Sequence, residues 1–312
     1  KENKKIEGLY KKIMNSEITT IDPSSITTAE LHRILLTAVA PRPIAFASTV
    51  DTNGHVNLSP FSFFNVFSAN PPILIFSPAR RVKNNTTKHT LENVKTTKEV
   101  VINIVNFPIV EQMSLSSTEY DLGINEFIKS GLTPVPSVKV TPPRVAESPV
   151  SFECVVDDII ELGKEGGAGN LVISRVVCIH INNKYTDANG NLDTKKLDLV
   201  ARMGGSWYAR LIKESLFEIP KPLFNKGIGV DSLPKHVLKS TILTGNNLGR
   251  LGNLPTIPSS KEIEKIKKTA MLATILAIKN KTEKENQLHS AVKKLLQEDK
   301  LEQALTALFC LE

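Results

Sequence analysis

Residues 57–65 read Asn-Leu-Ser-Pro-Phe-Ser-Phe-Phe-Asn, and Val66, Phe67 and Ser68 follow them. Small hydroxyl residues alternate with aromatic residues around a single proline in this stretch. On both sides of it, from Ile44 to about Ile181, short runs of β-branched and aromatic residues are separated by turn residues. This pattern predicts an all-β barrel or sandwich over that part of the chain.

Apolar runs predict the individual strands, and apolar residues at helical spacing predict a few helices between them. The predicted strands are Ile44–Val50, His55–Leu58, Ile73–Ser77, Val100–Val105, Val150–Ile160 and Leu171–Ile181. Asp-Thr-Asn-Gly at 51–54 predicts a hairpin turn between the first two. The predicted helices are Thr28–Val39 with Thr27 or Thr28 as N-cap, Thr86–Thr97 and Ile109–Ser116. The fold class is therefore mainly β with helices (α+β).

The C-terminal part of the chain has a different composition. From Ser259 onward Lys, Glu, Leu, Ile and Ala dominate, and Leu288, Val292, Leu295 and Leu305 form an apolar stripe at helical spacing. The glycine-rich residues before it favour irregular structure over a second sheet. We expect the stripe to pack on the barrel of its own chain or to reach across a dimer. The predicted segments are an N-terminal extension 1–27, a barrel domain 28–222, a Gly-rich wrapping segment 223–258 and a helical C-terminal tail 259–312.

Composition excludes several classes of protein. Among the 312 residues, 41% are hydrophobic and 23% are charged, values of an ordinary folded domain rather than a disordered chain. The longest mostly apolar run, 271–278, is far shorter than the roughly 20 residues that span a bilayer. The net charge of +7 attracts anions, but many of the lysines lie near the two ends, in the second case interleaved with glutamates. We therefore expect a solvated surface and neither nucleic-acid nor membrane binding.

The cysteines and histidines indicate neither a disulfide framework nor a metal site. The three cysteines are widely spaced and lack CxxC spacing, which favours a reducing, cytoplasmic setting. The six histidines are dispersed along the sequence, so no metal ligand set is predicted. His180 lies in an alternating strand and is interpreted as a hydrogen-bonded barrel residue rather than a catalyst.

Two clusters of residues suggest a binding site. Residues 57–65 combine an apolar wall with hydroxyl donors, which suits a planar isoalloxazine ring and its polar edge; a buried strand with hydroxyls bonded to backbone is the alternative. The second cluster places cations and hydroxyls in one strand-to-helix connection, as a phosphate requires, and the helix beginning near Thr86 offers free N–H groups. Solvated loop charges are the alternative here. The second cluster consists of Ser77, Arg80, Arg81, Lys83, Lys88 and Thr90.

The sequence resembles the flavin reductase-like, FMN-binding split-barrel family, in the branch whose members carry a C-terminal extension. The resemblance covers about residues 28–255, and its blocks follow the family order. They are Pro41–Thr49, Asn57–Asn65, Pro71-Pro72, Lys88 with Thr90, Val101–Asn103, Glu126-Phe127, Gly131–Thr133, Pro142–Pro149, Phe152–Cys154 and Arg202–Gly205.

The resemblance implies an FMN-binding split β-barrel plus the helical tail, with FMN bound noncovalently in a homodimer and close to the subunit interface. It implies that nicotinamide, from NADH or NADPH, passes hydride to flavin N5, and no catalytic residue is assigned. An FMN-binding electron carrier or flavin-storage module is the alternative, and the electron acceptor is left open. By resemblance, one set of residues lies along the flavin: Ser48, Thr49, Ser59, Pro60, Phe61, Ser62 and Phe63. The set toward the phosphate is Arg80, Arg81, Lys88 and Thr90, and Ser77 of the second cluster is counted with the cofactor-binding residues.

One departure from the family pattern falls within the phosphate set. Where the family often has Lys-Asp-Thr, this chain has Lys88-His89-Thr90. A titratable ring therefore replaces an acidic contact or helix cap. The phosphate role of Lys88 and Thr90 is unaffected, whereas no role of that aspartate is carried over.

Overall fold

The computed structural model describes residues 18–219 and 226–311. The chain divides into two compact units, Lys1–Phe217 and Glu218–Glu312, called here the barrel unit and the helical unit. Residues 1–17 of the predicted N-terminal extension, and the predicted boundary at residue 222, lie outside the described residues. The boundaries between the four predicted segments stay predictions.

The barrel unit contains strands and short helices in alternation. Its strands are β1 Ala45–Val50, β2 Val56–Phe61, β3 Phe64–Ala69, β4 Pro72–Phe76, β5 Glu99–Ile104, β6 Pro134–Val135, β7 Arg144–Val145, β8 Val150–Glu161, β9 Asn170–Ile181, β10 Val200–Arg202 and β11 Tyr208–Arg210. Its α-helices are α1 Thr28–Ala38, α2 His89–Thr97, α3 Val110–Leu115 and α4 Glu126–Ser130. The predicted fold class, mainly β with helices, is confirmed, and the predicted helix at 86–97 begins three residues later.

Seven strands form one antiparallel sheet in the order β2-β1-β5-β8-β9-β4-β3. Strands β2 and β3 stand at opposite ends of this order, yet only Ser62 and Phe63 separate them in sequence. The two edges of the sheet must therefore meet at this connection, which we call the β2–β3 corner. The sheet curls into a barrel with an unpaired seam between β2 and β3, which is the split barrel. The backbone N–H of Ser77 donates to the carbonyl of Phe63 at 2.8 Å and fastens the corner to the end of β4.

Side chains fill both sides of the curled sheet because residues in a strand alternate between its faces. Ala45 and Ala47 of β1 belong to the cluster that includes Phe76, Ile102 and residues of α2. Ile44 and Phe46 belong to a second cluster that includes Met113 and Phe127. β1 is consequently buried on both faces, and polar residues on it have no access to water.

Helix α1 begins as the sequence predicts. Thr27 is its N-cap: its hydroxyl accepts from the N–H of Glu30, and the carboxylate of Glu30 accepts from the N–H of Thr27. This reciprocal pair satisfies two of the donors that the first turn of a helix leaves free. Pro41 and Pro43 exclude a continuation of the helix beyond this region.

The described part of the helical unit consists of helices and turns without a strand. Its α-helices are α5 Lys235–Leu238, α6 Gly245–Gly252, α7 Ser260–Lys267, α8 Ala270–Leu276, α9 Lys281–Gln297 and α10 Leu301–Leu308. Leu288, Val292, Leu295 and Leu305 are buried in one core with residues such as Val237 and Leu251 from the Gly-rich part. The apolar stripe is thus covered inside the helical unit itself, so neither packing arrangement expected from the sequence is needed to bury it. No helix of the described residues is long and apolar enough to cross a membrane.

Candidate functional site

A cavity of about 480 Å³ opens at the β2–β3 corner. Its volume lies within the roughly 300–1,000 Å³ typical of small-molecule sites. Residues from the corner, from the end of β4, from the connection between β4 and α2, and from α1 line it. Most of the residues predicted for the flavin site meet here: Pro60, Phe61, Ser62, Phe63, Ser77, Arg80, Arg81 and Lys88.

One side of the cavity is apolar because the end of β2 and the corner present Pro60, Phe61 and Phe63 to it. The Phe61 ring packs against Phe76 with 5.4 Å between centroids, so its position is fixed by the core. The ring of His32 on α1 stands edge-on to Phe63 at 6.3 Å. This arrangement offers a wall against which a planar ring can lie.

Arg42 supports the corner from behind. Its guanidinium is buried and donates to Ser62 Oγ at 3.3 Å, to the carbonyls of Val39 at 2.7 Å and Met203 at 3.0 Å, and to the carbonyl of Leu36. Burial, and next the charge of Arg202, lower the pKa of Arg42. One side chain thus ties the end of α1 and the segment after β10 to the hydroxyl of Ser62.

Another part of the cavity lining carries positive charge. Arg80 Nε donates to Asn85 Oδ1 at 2.6 Å, and Arg81 Nε pairs with Glu119 Oε1 at 2.6 Å, so both guanidinium groups are held in place. Lys83 lines the same side. A fixed cluster of cations on a concave surface favours an anionic ligand.

The β8–β9 connection holds the arginine segment in position. The N–H of Arg80 donates to the carbonyl of Ala168 at 2.8 Å, and the N–H of Gly167 donates to the carbonyl of Arg80 at 3.0 Å. Gly166 lies so close that a Cβ there would stand 3.0 Å from the carbonyl oxygen of Val82. A side chain at residue 166 would therefore push the cation-bearing segment away.

Among the described residues, only Arg81 of these three cations has a carboxylate within 4 Å; Arg80 is held by Asn85 instead, and Lys88 has neither a carboxylate nor a side-chain hydrogen-bond partner. Its ammonium lies 5.7 Å from the centroid of the Phe61 ring, where the wall and the cations meet. Burial, and next the charge of Arg81, lower the pKa of Lys88, while Glu119 opposes them. An anion in the cavity would relieve the repulsion between Lys88 and Arg81.

Lys88 is also the N-cap of α2, and no side chain makes a capping hydrogen bond there. The first N–H groups of a helix carry partial positive charge and bind anions when no side chain occupies them. His89 stands where the family often has aspartate, and the acidic residue in the first turn of α2 is Glu92. The N-terminus of α2 is therefore available to a phosphate.

Ser59 and Thr90 line a smaller adjoining pocket of about 30 Å³. Thr90 Oγ1 accepts from Asn57 Nδ2 at 2.8 Å. Glu126 closes this pocket, and its Oε2 accepts from the N–H of Leu58 at 2.9 Å. Burial raises the pKa of Glu126 despite the hydrogen bonds that oppose it.

Ser48 and Thr49 do not line either pocket. Both are completely buried on β1, where Thr49 Oγ1 accepts from Asn93 Nδ2 at 3.0 Å. Ser48 Oγ is buried and has no hydrogen-bond partner in the part of the chain that the structure describes. The structure thus brings ten of the twelve predicted residues to the two neighbouring pockets and places these two within the sheet.

Sequence reasoning did not assign a role to His32, Arg42, Gly167 or Glu126. His32 and Gly167 reach the cavity only through the tertiary fold, so no local signal marks them. Arg42 carries one signal, since a lone arginine between Pro41 and Pro43 stands in an otherwise apolar stretch. Glu126 lies next to Phe127 in one of the family blocks, but the sequence around it does not indicate that its carboxylate is buried.

The donor set of the cavity fits a phosphorylated planar cofactor. The aromatic wall suits a flat ring, the unpaired ammonium of Lys88 and the open N-terminus of α2 suit a phosphate, and Ser62 supplies a hydroxyl held by Arg42. The fold and the cavity together define a split-barrel protein with a cavity that combines an aromatic wall and a group of cations.

The comparisons with known proteins agree with this class. The model of the flavin reductase like domain matches residues 38–196, so the chain belongs to the flavin reductase-like family. An uncharacterized protein of Aquifex aeolicus is 35% identical over 189 residues, which is 61% of this chain and 94% of the relative.

Solved structures show the same fold over the barrel unit. Nitrilotriacetate monooxygenase component B from Bacillus cereus is similar at 28% identity with a TM-score of 0.61, over 66% of this chain and 100% of that one. The 2-nitrobenzoate 2-nitroreductase NbaA from Pseudomonas fluorescens is similar at 25% identity with a TM-score of 0.59, over 68% of this chain and 100% of that one. The family and the split-barrel fold expected from the sequence are confirmed.

Proposed function

We propose that the chain is an FMN-dependent NAD(P)H oxidoreductase of the flavin reductase type. The observation that carries this proposal is the meeting of an aromatic wall with an unpaired cation, Lys88, in one cavity of a flavin reductase-like barrel. A monooxygenase component and a nitroreductase are among the similar structures, which supports a redox role.

The residues of the cavity have distinct roles in this proposal. Phe61 and Phe63 support the ring, and Ser62, held by Arg42, donates to its polar edge. Lys88 and the N-terminus of α2 bind the phosphate, with Arg80 and Arg81 adding positive charge. Bound flavin would supply hydride acceptance at N5. The protein positions the reactants, so no residue of the chain is assigned as a general acid or base.

FMN is proposed rather than FAD because the cations are compact. Arg80, Arg81 and Lys88 all line one cavity of about 480 Å³, which offers one place for a terminal phosphate. An adenosine extension would require further surface beyond this cluster.

A homodimer is part of the proposal. Strand β3 forms one edge of the sheet and exposes Val66 and Phe67, 63% and 64% accessible. An unpaired edge with apolar side chains is commonly covered by a second copy of the chain. Light scattering should give the dimer mass when FMN is bound, and a monomer mass with FMN bound would contradict this part. A reducing cytoplasmic setting also stays a proposal, supported by three free cysteines.

The experiment that tests the function is the visible spectrum of the purified chain, followed by anaerobic addition of NADH or NADPH. We expect a yellow protein that bleaches on addition and that releases FMN on heating. Yellow absorbance that persists would instead favour the electron carrier or flavin-storage module. Recovery of FAD alone, or of no flavin after reconstitution, would refute the FMN assignment.

A further inference from the structure

Three potential metal ligands meet on the long β8–β9 hairpin, away from the cavity. Glu153 on β8 pairs directly with Cys178 on β9, and His180 follows two residues later on the same strand. The strand register shifts at this point, because Cys154 pairs with Val176 and leaves Val177 unpaired. Such a bulge re-aims neighbouring side chains. One oxygen, one sulfur and one ring nitrogen of the three residues lie within 4.8 Å of one another.

Glu153 is completely buried, and backbone N–H groups hold both of its carboxylate oxygens. Its burial raises the pKa, but the backbone N–H groups of Val138 and Lys139, together with His180, lower it below the ordinary value. Val138 donates to Oε1 at 2.8 Å and Lys139 to Oε2 at 2.6 Å. These two bonds fix the carboxylate in one orientation, as an outer set of hydrogen bonds does for metal-bound carboxylates.

The distance between the sulfur and the ring nitrogen matches the spacing of two ligands on a tetrahedral ion. Zn²⁺ binds histidine nitrogen at about 2.0 Å and thiolate sulfur at about 2.3 Å, so two such ligands stand about 3.5 Å apart at a tetrahedral angle. Cys178 Sγ and His180 Nε2 are 3.5 Å apart. His180 Nε2 and Glu153 Oε1 are 2.5 Å apart and need to separate to about 3.3 Å, the corresponding nitrogen–oxygen spacing.

We propose that Glu153, Cys178 and His180 bind a divalent ion of borderline softness, Zn²⁺ being the expected one, with a fourth position open to water. Ions reach the site from solvent, since the His180 side chain is 23% exposed and Cys178 is partly exposed. On binding, the ion replaces the proton of the Cys178 thiol, which goes to solvent, and takes the place of the proton shared between His180 Nε2 and Glu153 Oε1. The ion then balances the two negative charges of Glu153 and Cys178.

This site is separate from the flavin proposal. None of its three residues lines the cavity or the smaller pocket at the β2–β3 corner. A test of this site therefore measures metal binding directly, and the result does not depend on flavin or nicotinamide.

The test is a titration of the full chain, stripped with a chelator, with Zn²⁺ and with Co²⁺ as a spectroscopic probe. We expect one ion per chain and a thiolate-to-cobalt charge-transfer band. Cys178→Ser should abolish the charge-transfer band. Each of the variants Cys178→Ser and His180→Asn should also weaken Zn²⁺ binding by at least about 10–100-fold, the usual effect of losing a residue that hydrogen-bonds to a metal ligand.

Two control variants remove a cysteine and a histidine that lie outside the proposed metal site. Cys310→Ser removes a cysteine of the helical unit, and His55→Asn removes a histidine that pairs with Asp51. Both variants should bind as the unchanged chain does. Absence of binding by the unchanged chain, a band that persists in Cys178→Ser, or equal loss in the controls would overturn the proposal. Should His180→Asn fail to fold, Cys178→Ala at the partly exposed position decides.

Discussion

Lys88 in the barrel unit is half-buried and His289 in the helical unit is buried, and the surroundings of these two basic side chains differ. The ammonium of Lys88 has no carboxylate partner among the described residues and faces a cavity. His289 is almost fully buried, and its Nε2 lies 2.9 Å from Nδ1 of His236, whose Nε2 in turn lies 3.1 Å from the carbonyl of Leu308. A polar group that the protein leaves unpaired beside a cavity indicates a ligand, whereas a buried one that is hydrogen-bonded within the protein indicates a structural role.

The variant with the largest expected effect is a truncation that tests whether the helical unit contributes to the cavity. Removal of residues 260–312 takes away most of the core that covers Val237 and Leu251, so we expect the rest of the helical unit to unfold while FMN affinity stays unchanged. Circular dichroism and flavin titration of the truncated chain check this. The milder variant Leu288→Ala should cost about 2–5 kcal/mol in the stability of that unit alone. A truncated chain that folds but loses FMN would place part of the flavin site in the tail.

The next effect concerns Lys88. Lys88→Ala should weaken FMN binding by about 10–150-fold, the value of a charge-assisted hydrogen bond of about 1.5–3 kcal/mol, and should leave riboflavin binding nearly unchanged. Lys95→Ala is the matched control, because Lys95 lies on the same helix α2 and pairs with Glu161 at 2.8 Å. Fluorescence titration with the two flavins measures both affinities. Equal weakening of FMN binding and riboflavin binding would show that Lys88 does not contact the phosphate.

A smaller effect is the pH dependence of the helical unit. Burial, and next His236, lower the pKa of His289 below 6.5, with Glu285 acting in the opposite direction. The unfolded chain therefore binds a proton at higher pH than the folded unit does, so stability is constant above about pH 6.5 and falls as the pH drops below it. Thermal unfolding between about pH 7.5 and 5 checks the slope. His289→Asn should reduce the slope of stability against pH. An unchanged slope would show that another group causes the pH dependence.

The smallest expected effect is the difference in stability change between variants of two buried carboxylates, Glu126 and Glu153. The pKa of Glu126 is raised by burial, so its ionisation destabilises the fold as the pH rises above about 4.5. Glu126→Gln keeps the acceptor for Leu58 and should be neutral or slightly stabilising at pH 7, by less than about 1 kcal/mol. Glu153 has a lowered pKa, so its stabilisation is present above about pH 4.5, and Glu153→Gln should destabilise at pH 7. Urea unfolding of both variants distinguishes the two environments, and the same sign for both would contradict this reasoning.

Local sequence patterns predicted most of the strands and helices correctly. Alternation and turn residues identified β1 and the hairpin after it, and the capping residues identified the start of α1. They did not reveal that residues 57–65 contain the end of β2, a two-residue corner and the start of β3, because an uninterrupted aromatic stretch has the pattern of a single strand. Which edges meet in a curled sheet depends on long-range pairing, and local propensity contains no information about it.

The candidate site was predictable to the extent that its residues are close in sequence. Phe61, Arg80 and Lys88 belong to recognisable blocks, and the fold brings them to one cavity. Ser48 belongs to such a block too, but whether β1 is buried on both faces depends on what packs against it. The cluster of Glu153 and Cys178 was missed because strand register, rather than spacing along the chain, makes these two residues neighbours.

The β2–β3 corner also bears on the order of folding. Ser62 and Phe63 join strands at opposite ends of the sheet order, and the sheet between them contains distant pairings such as Ile73 with Arg175. Closing such long loops costs chain entropy before the contacts form, which makes these pairings slow. The cavity can therefore take shape only after β8 and β9 have joined both halves of the sheet. We expect refolding chains to acquire secondary structure first and to capture flavin only in the slowest phase, so that free flavin would report the completion of the barrel.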